Sequence, residues 1–113
     1  MSLAIYHNPR CSKSRQTLVL LEERGLEPEI VKYLETPLSV ASLKKIIAAL
    51  GISPADLLRK GEAAYKELGL KSASDADIVE AMATHPILIE RPIVVNGRQA
   101  RIGRPPESVL EIL

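Results

Sequence analysis

The chain has one cysteine, Cys11, set among residues that could activate a thiol. His7, Arg10, Lys13 and Arg15 offer imidazole or positive charge, while Ser12 and Ser14 offer hydroxyls. A lone cysteine is most often an inert, small buried hydrophobe. Here its position argues for chemistry. Cys11 follows a short apolar segment and a loop containing Pro9, at the point where a helix should begin. Free N–H groups and the helix dipole at such a terminus favour a thiolate, the nucleophilic form. This placement predicts a partly exposed sulfur in the first helical turn. Lys13 reads as a solvated helix residue. His7 and Ser14, flanking the sulfur on a short loop and turn, read as groups that work with it.

Spacing narrows the chemistry. A phosphatase-type loop needs Cys-x5-Arg, but Thr17 stands where the arginine belongs. A dithiol redox centre needs Cys-x-x-Cys, and that position is Ser14. With no second thiol in the chain, a covalent intermediate on Cys11 has to be resolved by an external thiol. One cysteine and two distant histidines make a poor zinc set, so no metal is expected.

The elements that must hold Cys11 follow from apolar patterning. Leu3-Ala4-Ile5-Tyr6 reads as a strand, residues 11–24 as a helix with Leu18 and Leu21 inward and Gly25 as its stop, and residues 29–33 as a second strand. Two parallel strands joined by a helix make a βαβ unit. Val40, Leu43, Ile46, Ile47 and Leu50 form one helical stripe ending at Gly51. Ser53-Pro54-Ala55-Asp56 carries helix-start signals, and Ser74-Asp75 opens a helix with Ile78, Val79 and Met82 inward. Ile93-Val94-Val95 and residues 98–102 flank Asn96-Gly97, a pair suited to a hairpin turn. Pro105-Pro106 begins a last helix with Val109, Leu110, Ile112 and Leu113. The expected fold is α/β, a thioredoxin-like mixed sheet in the order β-α-β, helical insertion, β-hairpin, α, with residues 1–113 as a single domain.

Composition sets outer limits. At 113 residues with 46% hydrophobic and 26% charged residues, the chain can bury a core without disulfides or metals. It lacks Phe and Trp, so Leu, Ile, Val and Ala must fill that core. A formal charge of +1 supplies no global field towards nucleic acid or a membrane surface. The N-terminal segment is too polar for a secretory signal, and no apolar run is long enough to span a bilayer. A cytoplasmic location is expected.

The segment His7-Asn8-Pro9-Arg10-Cys11-Ser12-Lys13-Ser14-Arg15 resembles the active-site loop of the glutaredoxin-coupled arsenate reductases, the ArsC family. The resemblance continues at Leu58-Arg59-Lys60-Gly61-Glu62, at Pro86-Ile87-Leu88-Ile89-Glu90-Arg91-Pro92-Ile93, and at Ile102-Gly103-Arg104-Pro105-Pro106-Glu107. These blocks occur in the family's order along nearly the whole chain. The resemblance implies that Cys11 attacks arsenate, that His7 and Ser14 help hold it as a thiolate, and that Arg59, Arg91 and Arg104 bind the oxyanion. It also implies a cis-proline at Pro92, glutathione as co-substrate, glutaredoxin as partner, and no bound cofactor. Planar guanidinium forks suit a tetrahedral oxyanion, because they bind its oxygens bidentately and stay charged. At Ser12-Lys13 the chain departs from the Gly-Thr of the best-known members and resembles a shorter chromosomal subgroup. Two alternatives stand beside this reading. One is a thioredoxin-fold regulator of the Spx type that binds a protein partner. The other is a glutathione-dependent thiol reductase of another substrate.

Overall fold

Strand β1 (Leu3–Tyr6) lies at the centre of the sheet that carries the cysteine. The computed structural model describes residues 3–113. The four strands run in the order β2-β1-β3-β4, with β2 at Glu29–Val31, β3 at Ile93–Asn96 and β4 at Gln99–Ile102. β1 pairs with β2 in parallel and with β3 antiparallel, and β3 pairs with β4 antiparallel. This is the expected mixed, thioredoxin-like sheet. Ile5 sits opposite both Ile30 and Val94, and Ile5 and Val94 are fully buried with Leu21, Val109 and Ile112.

The crossover from β1 to β2 is helix α1 (Ser12–Glu23). Its inward stripe is Ser14, Thr17 and Leu21, so the half nearest Cys11 buries hydroxyls rather than hydrocarbon. It closes on a Schellman motif: Leu26 N–H donates to Leu21 C=O at 3.1 Å, and Gly25 N–H to Glu22 C=O at 2.9 Å. The chain then turns into β2, which ends at Val31, two residues earlier than its alternating pattern suggests. Tyr33 is buried beyond the strand, its N–H bonded to Val31 C=O at 3.0 Å, so the alternation continues into a turn.

The chain divides into two units: the part up to Thr36 together with that from Arg91 onward, and Pro37–Glu90. The second unit is the helical insertion. Helix α2 (Val40–Leu50) is capped by Ser39, whose hydroxyl accepts from Ser42 N–H, and buries Leu43, Ile46 and Ile47. The start signal at Ser53 yields only a 3-10 turn over Pro54–Leu57, although Ser53 and Asp56 do form a capping box. A five-residue helix α3 (Ala63–Glu67) and helix α4 (Asp75–Thr84) follow, and α4 buries Ile78, Val79 and Met82 as expected.

Two late elements differ from expectation. The hairpin turn is Gly97-Arg98 rather than Asn96-Gly97, because Asn96 pairs with Gln99 as the last strand residue. The Asn96 side chain is used elsewhere, donating to Ile112 C=O at 2.6 Å. The last helix is 3-10 over Pro106–Ile112, burying Pro106, Val109 and Ile112 at a spacing of three that matches three residues per turn.

Candidate active site

The loop between β1 and α1 is organised by Asn8, which sequence reasoning passed over. Asn8 Oδ1 accepts from Arg10 N–H at 3.0 Å, its carbonyl accepts from Cys11 N–H at 3.0 Å, and its own N–H donates to Ser14 Oγ at 3.0 Å. An Asn-Pro pair is a turn signal in which the side chain can hold a backbone N–H two residues on, so the signal was there to be used. Arg15 adds a clamp, its Nη1 donating to Pro9 C=O at 2.9 Å. Arg10 and Lys13 are exposed, so Lys13 is the solvated residue its position suggested.

This turn delivers Cys11 to the N-cap of α1, not to its first turn, with extended backbone angles and its carbonyl accepting from Arg15 N–H. The thiol makes no capping hydrogen bond. Cys11 is also buried, with 8% of its surface exposed, where sequence placement predicts partial exposure. One neighbour brought from far along the chain is Arg104, which donates through Nη2 to Sγ at 3.7 Å.

Ser14 and His7 are brought together below the cysteine loop. His7 Nδ1 lies 2.6 Å from Ser14 Oγ, and the two residues are 5% and 0% exposed. His7 does not add a positive charge, as its proximity to the sulfur suggested. Burial first, then the charges of Lys32 and Arg15, push its pKa below the ordinary 6.5, so the ring is neutral at neutral pH. Ser14 Oγ receives the Asn8 N–H and shares a second hydrogen bond with the neutral imidazole. If His7 donates from Nδ1, the serine proton is left to donate elsewhere.

Arg91 and Arg104 are tied together by backbone. Arg104 Nε donates to Arg91 C=O at 2.8 Å, which turns its Nη2 towards Cys11. Gly103, just before Arg104, allows this approach. A Cβ there would lie 2.6 Å from Thr17 Oγ1 and 2.8 Å from Pro92 Cγ, so the end of β4 packs directly on α1 and Pro92. The Arg91–Pro92 and Arg104–Pro105 bonds are both cis. Nε and Nη1 of Arg91 are buried with no hydrogen-bond partner. Buried charged donors without an acceptor are costly, so these two atoms are open to one.

Arg59 lies in the insertion unit, where its N–H donates to Leu88 C=O at 2.7 Å and its Nη1 pairs with Glu62 at 2.7 Å. Its charge already has a partner. No cluster of three or more His, Cys, Asp or Glu able to hold a metal occurs among the described residues, and no helix there is long and apolar enough to cross a membrane.

Cys11, His7, Ser14, Arg91 and Arg104 therefore belong to one unit, which holds the thiol beside the Arg104 guanidinium. The chain as a whole is similar to known proteins. The family model described as the ArsC family matches residues 6–112. A solved structure of an arsenate reductase from Vibrio cholerae is 56% identical and superposes with a TM-score of 0.97, over 100% of this chain and 98% of that one. A Haemophilus influenzae protein named arsenate reductase is 51% identical over the full length of both chains. The Escherichia coli protein YfgD, itself uncharacterised, is 56% identical over 96% of this chain and 94% of its own. By its sequence, its thioredoxin-like fold and these relatives, the chain belongs to the ArsC family.

Proposed function

We propose that the protein reduces arsenate to arsenite, with Cys11 as nucleophile and glutathione and glutaredoxin supplying the electrons in the cytoplasm. The observation that carries this reading is the buried, partnerless Nε and Nη1 of Arg91 in the unit where Arg104 sits 3.7 Å from Cys11 Sγ. A thiol beside one guanidinium, in a unit where a second arginine has two buried donors without an acceptor, suits a tetrahedral oxyanion better than a protein disulfide, which brings no charge to them.

The Cys11 sulfur attacks arsenic, an S–As bond forms, and an As–O bond breaks with its oxygen leaving as water. Glutathione adds its sulfur to the arsenic and displaces a second water. The glutaredoxin thiol then attacks the glutathione sulfur. The As–S bond to glutathione breaks with its electron pair remaining on arsenic, which becomes As(III), and a mixed disulfide departs. Water finally replaces Cys11 on arsenic, releasing arsenite and restoring the thiol. Two thiols have become one disulfide, and the net by-product is one water.

Arg91 and Arg104 would neutralise the oxyanion and so lower the repulsion felt by an approaching thiolate. For Arg59 an oxyanion-binding role rests on the resemblance of its segment to the family's alone. Ser14, steered by His7 and Asn8, would orient a hydroxyl towards the sulfur.

The test is arsenite production by purified protein supplied with glutathione and glutaredoxin. Wild type should turn over and Cys11→Ser should not, because a serine hydroxyl is far less nucleophilic at neutral pH. Equal rates from the two proteins would remove Cys11 from the chemistry. A folded wild type with no activity would return the choice to another oxyanion or a binding role.

A further inference from the structure

A cavity of about 280 Å³ lies against the loop that leads to Cys11. Its wall includes His7, Asn8 and Arg10 from that loop, and Lys32, Leu34 and Glu35 from the turn after β2. The volume is near the lower end for small-ligand sites. Arg10, Lys32 and Glu35 form no ion pair with any described residue, so the cavity presents two cations and one carboxylate, all unpaired.

The reaction above needs an external thiol, since Cys11 has no second cysteine to resolve it. Glutathione is a zwitterion with two carboxylates and one ammonium group. Its charges are the complement of this wall, two for two and one for one. Its thiol is on the central residue, so a tripeptide of roughly 10 Å held at both ends projects its sulfur from the middle of the chain. Asn8 lines the cavity and its carbonyl accepts from Cys11 N–H at 3.0 Å, so the wall and the nucleophile share one tight turn.

We propose that this cavity binds glutathione, with Lys32 and Arg10 taking its carboxylates and Glu35 its ammonium group, so that its thiol meets arsenic on Cys11. The inference rests on the arsenate-reductase reading for the thiol's purpose, but the binding itself needs no arsenate. His7 serves as an internal reporter. It lines the cavity, and Lys32 is one of the charges that hold its pKa down. A ligand carboxylate seated on Lys32 would offset that charge, and the His7 titration would move up.

The experiment is a titration of the wild-type protein with S-methylglutathione, which has every charge of glutathione but no thiol, followed by the NMR signals of the His7 ring. Saturable binding with an upward shift of the His7 midpoint is expected. Glutathione diethyl ester, S-methylated to match, should produce neither. Lys32→Glu, a change at an exposed position, should weaken S-methylglutathione binding 10-fold or more and raise the KM for glutathione in the arsenite assay by a similar factor. No saturable binding to wild type, or equal binding by the ester or by Lys32→Glu, overturns the assignment. If wild type makes arsenite but shows none of this binding, the cavity assignment fails and the activity stands. If it makes no arsenite yet binds as described, the activity fails and the site stands.

Discussion

Helices α1 and α2 are of similar length and each buries one stripe, but the stripes are made of different materials. That of α2 is Leu43, Ile46 and Ile47, and that of α1 begins with Ser14 and Thr17 before reaching Leu21. Each side chain in α2 stabilises by leaving water, at about 1.5–3 kcal/mol for a fully buried aliphatic residue. The first turns of α1 give up that gain, and every hydroxyl buried there needs a partner. Ser14 has the Asn8 N–H and the His7 ring, while Thr17 donates to Lys13 C=O at 2.8 Å. Hydrocarbon at Ser14 would strand the Asn8 N–H and the His7 ring, so this stripe is tied to the polar loop in a way that the α2 stripe is not. The N-terminal half of α1 is therefore shaped by the polar site it faces, and α2 by packing.

The largest effect that sharpens this contrast should come from α2. Leu43 is fully buried, so Leu43→Ala should lower unfolding free energy by about 2–5 kcal/mol in urea melts, with turnover per folded molecule retained. Ser14→Ala on α1 should cost less, about 1–3 kcal/mol, because it leaves the Asn8 N–H and the imidazole without their shared oxygen. Its effect on arsenite production should exceed that on stability. The reverse ranking, a stability loss with full activity, would make the α1 stripe structural after all.

The smallest effect concerns pH. His7 titrates below 6.5 in the folded protein, so the unfolded chain binds its proton first as pH falls. The part of the stability that this group controls is complete above pH 6.5. It declines as pH drops towards the folded-state value and then levels off. The urea midpoint of wild type should fall between pH 7.5 and 5.5, and the fall should shrink in His7→Gln. An unchanged slope in that variant would mean His7 is not held neutral by the fold.

Much of the fold was legible because apolar spacing encodes it directly: the strand at Ile5, the α2 stripe and the inward Ile78, Val79 and Met82. What failed was local geometry that spacing leaves open. A short segment such as 106–112 serves equally well as α or 3-10 until Val109 and Ile112 meet the sheet. Asn96-Gly97 could form the turn until Asn96 is held by Ile112. At the site, Cys11, His7 and Ser14 could be picked out because they lie within one loop and turn. The contact between Arg104 and Cys11 spans 93 positions, and no local pattern records it. The charge state of His7 was hidden for the same reason, since it depends on burial and on Lys32, which the β2 crossover brings near.

The central claim is that Cys11 is a nucleophile in an oxyanion site completed by Arg91. It is tested most directly by alkylating Cys11 with iodoacetamide in the presence of increasing arsenate. The rate in wild type should fall with saturation as the oxyanion occupies the space before the sulfur. Arg91→Ala should need roughly 10- to 150-fold more arsenate for the same protection, the equivalent of about 1.5–3 kcal/mol for a lost charge-assisted hydrogen bond. Wild-type alkylation that ignores arsenate, or protection identical in Arg91→Ala, would contradict the account.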